Sequence, residues 1–437
     1  MIKKIKSLKS NNEFMKYFNN TSYLLFDKIF KMIISFFVVI YLTRYLGPER
    51  FGLLSYAQSF VSIFIAFASL GLSQIIVRDI VNDQNNVDKV LGTAFFMMFA
   101  SSIISMGVIF ILSFFIYKES QTRLLVNIVA ITVIFQVFYI LIESFFQARV
   151  LSKYIVLASN TGFVISSSIK ILLVYFSMPL MYFAYALVFD SLFLALSCLF
   201  IYNYKGGNIL GWKIEKVLLK KYIKISIPML MVSITAFIYT RTDQIMIKHM
   251  LGDDANGNYA AAIRVSELFY FIPSIIVASI YPKLVELKLQ NQDSYLKLLE
   301  KLYRLVLWIS IPIALIMTFC SSFIITILYG EKFASAPHIL SVLSWCIIFA
   351  SIDAVFVKIL YVEKFESRYL YKSTFGVLIN IVLNYILINT HGVVGAAMAT
   401  LITLICVSYV FDLLDPKLRE YYYLKLVCWT PLNNIKE

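Results

Sequence analysis

The chain has 437 residues, 60% of them hydrophobic and 15% charged, with a mean hydropathy of +0.80 and a formal net charge of +14. Soluble domains run near 45–50% apolar and about 25% charged, so an ordinary cytosolic enzyme, a secreted disulfide scaffold and a disordered chain are excluded. The apolar excess lies in blocks of about 20 residues, the length that crosses ~30 Å of hydrocarbon as a helix, and a polytopic, all-α integral membrane protein is expected. The first 20 residues are basic and polar, without the apolar core and small-residue cleavage site of a signal peptide, so the first span is its own insertion signal. Twelve spans follow, at 22–43, 53–77, 90–116, 124–146, 154–176, 180–202, 225–247, 259–281, 305–328, 339–359, 373–388 and 395–414. With a cytoplasmic N-terminus the inner segments carry 27 Lys/Arg and the outer ones 6. That asymmetry is the positive-inside signal and puts both termini in the cytoplasm. The basic balance thus reports topology and contact with anionic lipid, not nucleic acid.

The longest break, KGGNILGWKIEKVLLKKYIK at 205–224, divides the chain into an N-lobe at 1–204 and a C-lobe at 225–437, six spans each. In the break, Trp212, Ile214, Val217, Leu218 and Tyr222 oppose Lys213, Lys216 and Lys220, the pattern of an amphipathic helix on the inner leaflet; a solvated linker is the alternative. A second inner helix of this character is expected at 283–304. The halves echo each other: Leu46-Gly47-Pro48-Glu49 leads to Ser55-Tyr56-Ala57, and Leu251-Gly252-Asp253-Asp254 leads to Asn258-Tyr259-Ala260. Six spans per half make this a parallel repeat about an axis along the membrane normal. No Gly-rich nucleotide loop with GK[ST] is present, so uphill transport needs a gradient or a partner. The outer loops are too short to house a membrane glycosyltransferase or polymerase. His249, His338 and His391 fit no metal-ligand spacing, and no cofactor is expected.

Ionisable side chains inside a bilayer are costly and face a cavity or one another. The first span carries Asp27, Lys28 and Lys31, where the choice lies between a local Asp27–Lys31 pair, snorkelling of Lys28 and a cationic site. The seventh carries Arg241 and Asp243, with Asp243 on a stripe with Ser233 and Thr240; the eighth carries Arg264 and Glu267 on one face. Asp243 and Arg264 both lie about one turn from the outer ends of their helices. They read either as an interhelical salt bridge, with Arg264–Glu267 as the variant, or as a cationic site for an anionic headgroup whose carboxylates orient the guanidinium. Glu143 shares a stripe with Gln136 and Tyr139. Glu143, Asp190 and Asp353 are lone acids in apolar runs, suited to protonation coupling or to pairing with Lys170 or Lys358. Pro228, Pro273 and Pro312 are candidate hinges.

The stretch TRTDQIMIKHMLGDDANGNYAAAIRVSELFYFIP at 240–273 resembles the signature of the O-antigen flippases and related polysaccharide biosynthesis proteins, members of the multidrug/oligosaccharidyl-lipid/polysaccharide exporter superfamily. YLTRYLGPERFGLLSYAQSF at 41–60, followed by GLSQIIVRDI, is similar to the opening block of the same family. The resemblance implies two six-helix lobes in a V, working by alternating access in the bacterial inner membrane. It implies an undecaprenyl-diphosphate-linked oligosaccharide as cargo, moved from the cytoplasmic to the periplasmic leaflet, with H+ or Na+ coupling. A polysaccharide polymerase and a chain-length regulator are the protein partners it suggests. It also implies basic residues that hold the diphosphate, here Arg264 first, then Arg241, Lys31 and Lys28, with Asp243, Glu267, Asp27 and Glu143 as coupling or orienting acids. A cation-coupled drug antiporter of the same fold, a membrane transferase or polymerase, and an assembly scaffold are the rival readings. Six intramembrane cations face six intramembrane acids, so charge count alone does not choose between flippase and antiporter.

Overall fold

The computed structural model describes residues 12–363 and 365–430; the extreme N-terminus and the end of the tail, on which part of the topology reading rests, lie outside them. Every regular element among the described residues is helical. Among the described residues, nine helices are long and apolar enough to cross a membrane. Two of them exceed one crossing, Phe26–Asn82 with 57 residues and Arg368–Leu414 with 47, against the ~20 that suffice. Each is broken where a glycine takes positive φ, Gly47 at 71° and Gly392 at 60°. The pair Lys216–Ile227 and Met229–Leu251, bent by 43° at the position of Pro228, makes one more span. With each broken helix counted as two, the described residues supply the twelve spans expected.

The two echoed turns have a physical basis. Gly47 and Gly252, at φ 71° and 94°, occupy a left-handed conformation that a Cβ would strain. Farther on, Gly52 and Gly257 let the two segments touch backbone to backbone: a Cβ on Gly52 would overlap the Asp253 carbonyl, and one on Gly257 the Pro48 carbonyl. Asn256 Nδ2 donates to the Gly52 carbonyl at 2.8 Å across this contact. Small residues at such a crossing are how apolar helices associate where lipid removes the hydrophobic drive.

The chain forms two compact units. The first runs to Tyr45 and resumes over Ala57–Phe237; the second takes Leu46–Tyr56 and Ile238–Glu437. In the first, the helix Thr132–Ala148 buries Val133, Val137, Leu141 and Phe145 at four-residue spacing, and Phe145 meets Tyr202 edge-on at 4.9 Å between ring centroids. Residues 205–224 belong to this unit. The α-helix there starts only at Lys216 and leads, across the bend at Pro228, into the next span, so it begins later than the apolar pattern suggests. The reason is that residues 212–215 are held out of a helix by tertiary bonds: Trp212 Nε1 to the Tyr202 hydroxyl at 3.0 Å, Lys213 N to the Asp88 carbonyl at 3.1 Å, and Glu215 N to Thr93 Oγ1 at 3.0 Å. Lys221 then closes on Asp79 at 2.6 Å.

In the second unit, the helix Gln292–Phe319 presents Tyr295, Leu299, Leu302, Tyr303, Val306 and Leu307 as one buried stripe with the period of a helix face. It packs on Ile348, Ile352, Val355, Phe356 and Ile359 of Ala336–Val362. The inner helix expected at 283–304 is instead the ends of two helices, Phe271–Gln290 and Gln292–Phe319. Asn291 breaks them apart with extended backbone, and its side chain caps the second by accepting from Ser294 N at 3.0 Å.

Candidate functional site

In the first unit, the helices Thr132–Ala148, Ser152–Tyr175 and Leu180–Tyr204 bring their polar stripes towards the start of the long N-terminal helix. Lys31 Nζ lies 2.8 Å from Asp27 and donates to Ser159 Oγ at 2.9 Å, so the i,i+4 pair forms and is clamped by a neighbouring helix. Glu143 accepts from the Tyr139 hydroxyl at 3.0 Å, with Lys31 and Asp27 near enough to act on it electrostatically. Lys170 is ion-paired with Asp190. Lys28 is exposed, as a snorkelling lysine is.

The second unit is arranged differently. Asp243 is buried and accepts from the Tyr259 hydroxyl, Thr400 Oγ1 and Asn384 Nδ2, each at 2.6 Å. Asn384 Nδ2 also donates to Asn380 Oδ1 at 2.9 Å. The carboxylate is therefore held by neutral donors, the Asp243–Arg264 salt bridge does not form, and neither does an Arg264–Glu267 pair. Among the described residues, Arg241 and Arg264 make no ion pair within 4.0 Å. Both are partly buried, Glu267 is exposed, and the three are close enough to feel one another's charge. Arg264 also acts on Tyr329. Two guanidiniums with five donors each, near Glu267 but in no ion pair with it, can bind an anion bidentately.

The other lone acids are accounted for. Asp353 sits 3.4 Å from Lys372, not on Lys358, which lies over the Tyr281 ring at 5.2 Å. Lys372 and Lys425 share the buried Asp412, and both lie over the Phe356 ring, at 3.6 and 4.1 Å. His249 bonds to the Tyr56 hydroxyl at 2.9 Å, and His391 to Thr390 at 2.8 Å. No group of three metal-ligating side chains occurs among the described residues. The sequence reading missed Asn380, Asn384 and Thr400; the signal was there, two asparagines four residues apart in an apolar span, on one helix face.

Residues 41–338 match the model of a family described as polysaccharide biosynthesis protein. The chain belongs to that family. An uncharacterized membrane protein of Methanocaldococcus jannaschii is 25% identical over 405 residues, 84% of this chain and 79% of that protein. A probable low-salt glycan biosynthesis flippase, Agl15 of Haloferax volcanii, is 24% identical over 169 residues, 38% of this chain and 36% of the relative. Among solved structures, the lipid II flippase MurJ in an inward closed conformation superposes with a TM-score of 0.70 at 16% identity, covering 93% of this chain and 90% of MurJ. An inward-facing multidrug resistance MATE transporter of the MOP superfamily gives 0.66 at 14% identity, covering 89% and 96%. At such identities these two show a shared fold, all-α and multi-pass.

Proposed function

We propose that this member of the polysaccharide biosynthesis family is a flippase, not an enzyme. It carries an undecaprenyl-diphosphate-linked oligosaccharide from the cytoplasmic to the periplasmic leaflet of a bacterial inner membrane, with both termini in the cytoplasm. The observation that carries the reading is the pair Arg241 and Arg264, partly buried and without an ion-pair partner among the described residues. An unpaired cation at membrane depth is expensive and marks a ligand, and a diphosphate supplies both charge and bidentate geometry. Family membership and the flippases among the similar proteins point the same way. A cation antiporter of the same fold needs acids left open to its cargo. Here Asp27, Asp190 and Asp243 are engaged by lysines or neutral donors, and Glu267, exposed, lies near the two arginines, which favours the flippase.

Coupling is assigned in this proposal to Asp243. Its carboxylate lies among the Asn380 and Asn384 amides and the Thr400 hydroxyl, and Asn384 Oδ1 is buried without a hydrogen-bond partner. Hard oxygen donors suit Na+ or a proton. The test is leaflet-resolved translocation of a labelled prenyl-diphosphate glycan in proteoliposomes, with Na+ or H+ gradients applied separately. Gradient-dependent transport lost in Arg264→Ala and partly kept in Arg264→Lys supports the reading; full transport by folded Arg264→Ala protein rejects it.

A further inference from the structure

A cavity of about 480 Å³ lies inside the first unit, within the roughly 300–1,000 Å³ typical of small-ligand sites. Gln58, Gln136, Tyr139 and Phe163 wall it, with Lys31 and Asp190 at its charged edges. Its charges cancel locally, since Lys31 is bound by Asp27 and Asp190 by Lys170. A phosphate seeks an uncompensated cation and a drug cation an uncompensated acid; this wall offers neither. It does offer unspent hydrogen-bonding capacity. The amides of Gln58 and Gln136 make no hydrogen bond to described residues, and each presents two donors and an acceptor. Asp190 Oδ1 and Ser166 Oγ, also on the wall, are buried with no partner. Polar groups left unmatched in a low-dielectric interior are costly, so the cavity is suited to a guest rich in hydroxyls. Tyr139 and Phe163 add ring faces of the kind that pack on the C–H face of a pyranose.

We infer that this cavity is a glycan subsite that takes one or two uncharged sugar rings of the lipid-linked cargo, Gln58 and Gln136 bonding their hydroxyl or acetamido groups. The inference rests on the flippase reading and deepens it by assigning the first unit a site for the sugar. Lys31, singled out by the sequence as a diphosphate ligand, becomes part of a neutral wall.

The test is saturation-transfer NMR on the purified full chain in nanodiscs. The probes are the methyl glycosides of glucose, galactose, N-acetylglucosamine and N-acetylgalactosamine, with methyl glucuronoside as the charged control and inorganic pyrophosphate as competitor. At least one neutral glycoside should give a signal that falls at least about fivefold in both Gln58→Leu and Gln136→Leu. It should persist in Arg264→Ala and resist pyrophosphate. Thermal melts establish that each variant is folded, and Gln136→Asn, which keeps the amide, should retain part of the signal. No signal from folded wild-type protein, a signal unchanged by both leucine variants, or one displaced by pyrophosphate overturns the subsite. Failure of the flippase reading looks different: glycosides bind through Gln136, yet proteoliposomes move no prenyl-diphosphate glycan. If translocation proceeds and no glycoside binds, the flippase stands and the subsite falls.

Discussion

The two units solve the problem of a charge in a membrane in opposite ways. In the first, the lysines on the cavity wall and beside it are spent at home, Lys31 on Asp27 and Lys170 on Asp190. In the second, the acid nearest Arg241 in sequence, Asp243, is taken by a tyrosine, a threonine and an asparagine, and Glu267 makes no pair with Arg264, so neither arginine has an ion pair among the described residues. Since unpaired intramembrane charge is costly and tends to face a ligand or a cavity, the proposed flippase reading puts its anion site in the second unit. It also teaches that spacing along a chain does not decide which acid meets which base.

The sharpest way to break this contrast is to remove one cation from each unit. Arg264→Ala should lower translocation by at least about 30-fold, as expected when a charge-assisted partner worth about 2–5 kcal/mol is lost. Lys170→Met should cost stability and leave transport of the folded fraction within about threefold, by the same reasoning. Equal transport losses in the two variants, measured in proteoliposomes, would erase the distinction between paired and unpaired cations. Asp243→Asn probes the neutral cage. It should destabilise the protein by about 1–3 kcal/mol, since an amide nitrogen now faces donors that need an acceptor. It should also abolish any Na+- or pH-dependent rise in melting temperature; a variant that keeps that rise in thermal melts removes Asp243 from coupling.

Asp27→Asn turns the first unit into an imitation of the second. Lys31 and Asp27 are part-exposed, at 27% and 19%, so losing the pair should cost about 1–3 kcal/mol, between the exposed and buried limits. The freed lysine should make inorganic pyrophosphate stabilise the variant more than wild type in a melting assay. The last prediction concerns Lys425, in the helix Arg419–Val427 beyond the last span. Burial, with repulsion from Lys372, pushes its ammonium from 10.5 down to about 8. Below about 8 the group is protonated in both folded and unfolded states and the burial penalty is fully present. Between about 8 and 10.5 the unfolded chain binds more protons, so stability should rise with pH. Melting temperatures taken across that window should climb more for wild type than for Lys425→Met; parallel curves would show that the buried lysine is not the titrating group.

Much of the fold was legible because its signals are local. Span length follows from hydrocarbon thickness, which is why the broken helices resolve into twelve crossings, and Gly47 and Gly252 announce turns that only φ > 0 permits. The 205–224 segment was not legible. Its apolar face suggested a surface helix, but Trp212 finds the Tyr202 hydroxyl and Glu215 N finds Thr93, partners that no window of neighbouring residues contains. Lys425 could not be foreseen as a buried base either, since its acid, Asp412, lies 13 residues away across the end of a span.

The sequence by itself determined that this is a many-times-crossing helical membrane protein and which residues carry charge in its apolar spans. Those properties depend on composition and on the spacing of residues along one helix. Only the tertiary structure decided that Lys31 and Lys170 are neutralised, that Asp243 is caged by neutral donors from three different helices, and that Arg241 and Arg264 are not. Pairing depends on which helices pack side by side, and a hydrogen bond acts over about 3 Å, whereas Asp243 and Thr400 are 157 residues apart in the chain.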